Sequence, residues 1–415
     1  MIAPRGDVLY VEDVPVTEIA ESVGTPVYIT SKSVLDGNIE SYKAAFPNAS
    51  LLYAVKANNN LSLMKIIARS GFGADVFSDG ELYLALLAGF ERELTLFNGN
   101  SKSDSEIEMG INAGVKFSVD SYDELETISS LADREVEIAF RVNPNIDPKT
   151  HPKIATGLRE SKFGIPHEEA FKAYEKAVRA RNIEPVGIHC HVGSQIKDLS
   201  VFAEALNRLF DIAREVEKLG VELEFLDIGG GLAIDYDGSG APTPKDLADV
   251  LLPIYEDRLG ELKSEPELWL EPGRSVVGNT TILLTRVNAV KRGYRNFVAV
   301  DAGFNLLIRP VMYNAYHRVA VANKMSQPAS EVYTVVGPIC ESGDVIARDR
   351  KLPKVEKGDL IAIFDTGAYG FAMSSQYNGR LRCAEVLVSG SRWWVTRDRE
   401  SYGDLLAKQR VPEWL

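Results

Sequence analysis

The chain has 415 residues, 45 % hydrophobic and 25 % charged, ordinary for a globular protein and enough for one large domain plus a smaller one. Its 46 basic and 59 acidic residues give a net charge of −13, which argues against nucleic acid as a partner because phosphate backbones are bound by clustered Lys and Arg. The opening MIAPRGDVLYVEDV is not a secretory signal, no apolar run approaches the roughly 20 residues that cross a bilayer, and three scattered cysteines form no disulfide scaffold, so no membrane partner and a reducing cytoplasm are expected.

The first elements, DVLYVEDV and TPVYIT, read as strands. From there short apolar, β-branched runs recur at LLYAV (51–55), GADVF (73–77), LTLF (94–97), KFSV (116–119), EIAFRV (137–142), VGIHC (186–190), FLDI (225–228) and LWL (268–270). Amphipathic stretches with helical spacing separate them, such as LSLMKIIARSG (61–71) and VFAEALNRLFDIAREVEKLG (201–220). Ser121 suits a helix start, and Gly71, Gly89 and Gly220 suit helix ends. Eight strands alternating with helices predict a (β/α)8 barrel over residues 33–280. Beyond it TILLTRVNAVKR, FVAVDAG, EVYTVVG, DLIAIFDTG and RCAEVLVSG have few helices between them, which predicts a β-rich second domain of residues 281–415 joined by 1–32. The fold class is therefore α/β, a barrel plus a β-rich domain.

Active sites of such barrels lie at the C-terminal ends of the strands. Lys56 follows the first run, His191 the sixth, Gly229, Gly230 and Gly231 the seventh, and Glu271, Gly273 and Arg274 the eighth. An arbitrary lysine past an apolar run is usually a snorkelling surface residue, but on this edge it suits Schiff-base chemistry, which requires a desolvated, partly neutral amine. The glycine triplet is either a flexible turn or an anion cradle for backbone amides; its spacing is not that of a dinucleotide fingerprint. Loops after strands seven and eight are a recurrent phosphate site, where Arg274 adds a charge-assisted bond. Glu271 in EPGR is either a surface acid before a turn or a carboxylate facing a pyridine nitrogen. His189 and His191 alternate onto one face of their strand, which raises a metal hydrolase as a rival, but His151, His167 and His317 stand at no evident strand end, so no metal is expected. A flat imidazole stacked on an aromatic cofactor suits His191, and a packed core histidine is a fair reading of His189. Cys340, in VVGPICESGD, has polar neighbours that speak against deep burial.

The segments YAVKAN, SGFGADVFSDGEL (70–82), SKFGI (161–165), HCHVGSQ (189–195), DIGGGL (227–232), EPGR (271–274), IRPVMYNAYH (308–317), VVGPICESGD (335–344) and GAYGFAMSSQYN (367–378) resemble, in order and over nearly the whole chain, the diaminopimelate decarboxylases. These are pyridoxal-phosphate enzymes on the alanine-racemase-like barrel. Ala233 after GGGL and Met312 before Tyr313 depart from the pattern without touching a residue assigned to chemistry. The resemblance implies pyridoxal 5'-phosphate carried on Lys56 and stacked by His191. Ser194, Gly229, Gly230, Gly231, Gly273 and Arg274 then surround the phosphate, Glu271 faces the ring nitrogen and Tyr369 adds a contact. It also implies an amino-acid substrate held by Arg274, Arg309, Tyr313, Glu341 and Tyr369, with Cys340 as proton donor, and a homodimer in which Cys340 and Glu341 reach the partner's site. The implied reaction is decarboxylation of meso-2,6-diaminopimelate to L-lysine. A decarboxylase of ornithine or lysine, a racemase on the same barrel and a carrier of pyridoxal phosphate without catalysis are the alternatives.

Overall fold

The computed structural model describes residues 1–148, 150–151 and 156–415. The chain divides into two compact units, one of Asn38–Asp235 with Gly240–Val276, the other of Met1–Gly37 with Tyr236–Ser239 and Val277–Leu415. Among the described residues no helix is long and apolar enough to cross a membrane.

The first unit is the barrel. Its strands, numbered one to eight here, are Ser50–Ala54, Gly73–Val76, Thr95–Phe97, Lys116–Val119, Val136–Asn143, Ile183–His189, Phe225–Asp227 and Glu267–Leu270. Each pairs in parallel with the next, and strand eight pairs with strand one, so the sheet closes. Local chemistry sets the helix ends. Ser78, Ser103, Ser121 and Thr243 cap helix starts by accepting a backbone N–H with their side chains. Gly89 and Gly114 stop helices in the left-handed conformation that only glycine adopts freely. The eight expected strands match these to within a few residues, the loosest being VGIHC, whose strand begins earlier at Ile183.

Inside the barrel, Phe225 and Trp269 stack with centroids 3.9 Å apart and planes 9° from parallel, amid Leu52, Leu96, Ala139 and Val186. Gly187 makes room for that stack, since a Cβ there would come within 2.3 Å of the Phe225 ring.

The second unit is built on a twisted sheet in the order Val345–Leu352, Glu331–Val336, Phe297–Val300, Thr281–Lys291, Val27–Ser31, Ala384–Ser389, Arg392–Arg397, with Leu360–Ile363 pairing Thr281–Lys291 and Val319–Val321 pairing Leu360–Ile363. Period-two alternation gives it two apolar faces: Tyr28, Leu283 and Ile363 belong to one cluster, and Val27, Ile29, Ile282, Leu284 and Ala362 to the other. Among the described residues of this unit four strands escaped the sequence pattern, the first being the short Ile2–Arg5. Val319–Val321 is only three residues long, and of the two edge strands Val345–Leu352 is rich in charge, a composition that protects an edge and hides its signal, while Arg392–Arg397 has an arginine at each end. The opening DVLYVEDV is two strands, Val8–Val11 and Val14–Pro15, broken at Glu12, whose φ is +55°.

Gly187→Ala should therefore destabilise the protein by about 1–3 kcal/mol through overpacking, read from chemical denaturation. Gly187→Ala combined with Phe225→Leu should recover part of that loss; equal stability of Gly187→Ala and the native protein would contradict the packing role.

Candidate active site

Each barrel strand delivers a polar side chain at or just past its C-terminal end, and the side chains join. Lys56 sits in a single 3-10 turn, Val55–Ala57, directly after strand one. Its Nζ donates to Asp75 Oδ2 of strand two and lies 5.4 Å from the centre of the Phe77 ring. Asn98, after strand three, donates from one amide nitrogen to both Asp75 Oδ1 and Glu271 Oε1, each at 2.7 Å. Ser118 of strand four meets His189 Nδ1 of strand six at 2.7 Å, and His189 Nε2 lies 3.6 Å from Glu271 Oε2, an ion-pair distance. Arg141 of strand five is buried with its guanidinium 4.4 Å from the Phe163 ring. Asp227 of strand seven accepts the Gly229 N–H at 2.7 Å.

The electrostatics follow from this crowding. Burial and the neighbouring Glu271 raise Asp75, with Lys56 and Asn98 opposing, and burial with Glu271 raises Asp227 further. Burial would also raise Glu271, yet His189, Lys56 and His191 together hold it well below the usual carboxylate range. Glu81, which accepts the Phe77 N–H at 2.8 Å, is pushed up to about 7 by burial, against the pull of Lys56. The amine, expected to be desolvated and partly neutral, is thus paired with a buried carboxylate, and 32 % of its side chain remains accessible.

His191 follows strand six and its Nδ1 accepts the Gly230 N–H at 3.1 Å. Desolvation with the charges of Arg141 and Lys56 pushes the imidazole from an ordinary 6.5 down to about 3, so the ring is neutral at physiological pH. His189 and His191 serve different partners, the first inside the barrel and the second at the glycine loop. The glycines themselves are tightly packed. A Cβ on Gly229 would come within 2.6 Å of His191, on Gly230 within 2.0 Å of the Glu271 carbonyl and on Gly231 within 2.3 Å of the Gly193 carbonyl. The expected anion cradle needs correction in one respect, because the Gly229 and Gly230 amides are engaged by Asp227 and His191. Arg274 Nη2 donates to Ser194 Oγ at 2.9 Å, and Gly273 lets its turn approach Ala54 and Ala57 of the lysine segment.

The remaining expected residues lie in the second unit. Arg309 is buried at the start of the short helix Arg309–Tyr313, and its Nη1 meets His317 Nε2 at 2.7 Å. Cys340 is exposed, as its polar neighbours suggested, with its N–H bonded to Asn378 Oδ1 at 2.7 Å. Glu341 Oε1 accepts from the Tyr377 hydroxyl at 3.0 Å. Tyr369 has a φ of +56°, a left-handed conformation that a tyrosine holds only when its surroundings enforce it.

Sequence reading missed Asp75, Glu81, Asn98, Ser118, Arg141 and Asp227. All but Glu81 sit at or near strand ends, in GADVF, LTLFN, KFSV, EIAFRV and FLDI, but only Asn98 lies past its apolar run as Lys56 does. Among the described residues one buried group has metal-ligand character, His189, Asp227 and Glu271, whose ligand atoms lie within 4.8 Å of one another. It is sealed from solvent, whereas a hydrolytic metal needs an open coordination position.

The chain is similar to known proteins along its whole length. The family of the pyridoxal-dependent decarboxylase pyridoxal binding domain matches residues 33–278. The diaminopimelate decarboxylase of Archaeoglobus fulgidus is 71 % identical over the whole of both chains, and that of Aquifex aeolicus is 44 % identical over 96 % of this chain and 94 % of its own. The crystal structure of diaminopimelate decarboxylase from M. jannaschii in complex with L-lysine superposes with a TM-score of 0.95 at 41 % identity, covering 100 % of this chain and 99 % of that one.

The state of His191 has a measurable consequence in the protein free of small molecules. The unfolded chain takes up a proton on this ring near pH 6.5 while the folded one resists until about pH 3, so acidification through that window favours unfolding. His191→Gln should flatten the fall in urea midpoint between pH 6.5 and the acid limit of folding. An identical decline in both proteins is the contradicting outcome.

Proposed function

We propose, from the premise that this chain belongs to the family of the diaminopimelate decarboxylases, that it converts meso-2,6-diaminopimelate to L-lysine and carbon dioxide with pyridoxal 5'-phosphate, closing a lysine biosynthesis route in a reducing cytoplasm. The observation that carries the reading is the continuous barrel network from Lys56 through Asp75 and Asn98 to Glu271. An aldehyde-bearing pyridine phosphate asks for an amine, for an anion at its ring nitrogen and for a cation with a hydroxyl at its phosphate. Lys56, Glu271 and the Arg274–Ser194 pair are that donor set, in a single unit, and the glycine turns leave no Cβ in the way. When bound, the cofactor supplies an electron sink for the pair left on the substrate carbon as carbon dioxide departs.

The chain's own groups do the rest. Asp75 Oδ2 takes the proton that Lys56 Nζ must shed before its lone pair is nucleophilic. Glu271, locked by Asn98 and kept ionised by His189, holds a ring nitrogen protonated. His191 offers a neutral, flat face. Arg309, with Tyr313, takes the distal carboxylate, because a guanidinium fork matches a carboxylate in two parallel hydrogen bonds. Tyr369 adds a contact, and Glu341 takes the distal ammonium. The exposed Cys340 thiol returns a proton to the substrate carbon, and its exposure with that of Glu341 supports a homodimer in which both serve the partner subunit's site. Three free cysteines fit the compartment, and the L-lysine held by the relative from M. jannaschii supports the product.

Purified protein should be yellow and release carbon dioxide from meso-diaminopimelate, and Lys56→Ala should abolish both; persistence of the colour in that variant defeats the assignment. A decarboxylase of ornithine or lysine has no distal carboxylate to bind. Arg309→Ala should therefore cut diaminopimelate turnover by about tenfold or more with the absorption spectrum intact. Undiminished turnover would return the reading to those sister enzymes.

A further inference from the structure

Arg309 is held from two sides within its own unit. Its Nη1 lies 2.7 Å from His317 Nε2, and the opposite ring nitrogen of His317, Nδ1, lies 2.8 Å from the Phe364 carbonyl oxygen. A carbonyl oxygen only accepts, so Nδ1 carries the hydrogen; a guanidinium only donates, so Nε2 presents a lone pair. The two partners therefore dictate one neutral tautomer, and an imidazolium would set N–H against N–H. Tyr236 completes the mount. Its ring centre is 4.5 Å from the Arg309 guanidinium carbon and 5.3 Å from the His317 ring, which it meets edge to face at 74°. His317 has no accessible surface, Arg309 keeps 5 % and Tyr236 keeps 9 %.

We propose that His317 is a positioning residue for Arg309, fixing the plane of the guanidinium that receives the distal carboxylate of the substrate. The proposal rests on the reading of Arg309 as the carboxylate anchor. Two-point recognition of a carboxylate requires the planar fork in a defined orientation, and ordering a free arginine side chain on binding costs about 2 kcal/mol of rotamer entropy. A backbone-anchored histidine and an aromatic floor set that order in advance, so loss of His317 weakens substrate capture more than it slows chemistry.

The test is steady-state carbon dioxide release by the holoenzyme carrying His317→Leu, His317→Gln, Arg309→Leu or the Leu double substitution, with the absorption spectrum as control. His317→Leu should raise KM for meso-diaminopimelate by about tenfold to a hundredfold, the worth of a hydrogen bond to a charged group, with a smaller change in kcat and an unaltered spectrum. His317→Gln can still accept from Arg309 and donate to Phe364, and should recover most of the loss. The double substitution should be no worse than Arg309→Leu alone. If Arg309→Leu raises KM and His317→Leu does not, or if the two effects simply add, the positioning role is overturned. If Arg309→Leu leaves KM untouched, the anchor assignment itself fails, a separate result. Should His317→Leu not fold, His317→Asn, too short to reach both partners, carries the same comparison.

Discussion

One amide nitrogen, Asn98 Nδ2, bonded to two buried carboxylates, is the contact on which the rim of the barrel depends. Asp75 and Glu271 are like charges in a place with little water, where their repulsion amounts to several kcal/mol even at an effective dielectric constant of about 20. A single neutral donor cannot offset that. Lys56 on Asp75 and the buried Arg141 supply positive charge, His189 Nε2 stands 3.6 Å from Glu271 Oε2, and Asp227 is driven toward its neutral acid by the same crowding. The groups act as one electrostatic body. Removing one of them shifts the proton affinity of its neighbours.

The triple glycine belongs to that body through packing. Gly230 lies against the Glu271 carbonyl, and the Gly229 carbonyl receives the Glu271 N–H at 3.0 Å, so the loop after strand seven clamps the start of the loop after strand eight. Gly230 N–H also fixes His191 Nδ1. Backbone without Cβ atoms therefore lets two loops and an imidazole touch. A Cβ at Gly230 would come within 2.0 Å of the Glu271 carbonyl, which ties the geometry of one loop to the residue that carries the rim's charge.

The barrel was legible because its signal is local: eight β-branched runs spaced by amphipathic stretches, each bounded by a capping Ser or a terminating Gly. The edge strands of the second unit were not, since Val345–Leu352 carries the run Arg348, Asp349, Arg350, Lys351, a pattern shared with any solvated loop. At the site, Lys56, His191, Glu271 and Arg274 stood out because each follows an apolar run on the C-terminal edge of the barrel. Asp75 and Asp227 did not, being single polar letters inside apolar runs, and Glu81 lies on a helix with nothing in its spacing to separate it from a surface acid. Their importance comes from facing one another across the barrel, and that depends on closure, which joins strand eight to strand one over more than two hundred residues of chain.

Arg309 and His317 mark where such reading ends. The arginine can be named from its motif, since a fork-shaped cation suits a carboxylate wherever it is placed. The tautomer of the histidine that holds it is decided by the Phe364 carbonyl, a backbone atom 47 residues further along the chain. Backbone oxygens are the same at every position and leave no trace in residue identity. The aromatic floor is equally hidden, because Tyr236 comes from a four-residue segment that interrupts the barrel sequence and packs with the other unit. A binding group can thus be visible in a sequence while the atoms that aim it are not, and for a planar cation the aim decides whether a carboxylate is held at one point or at two.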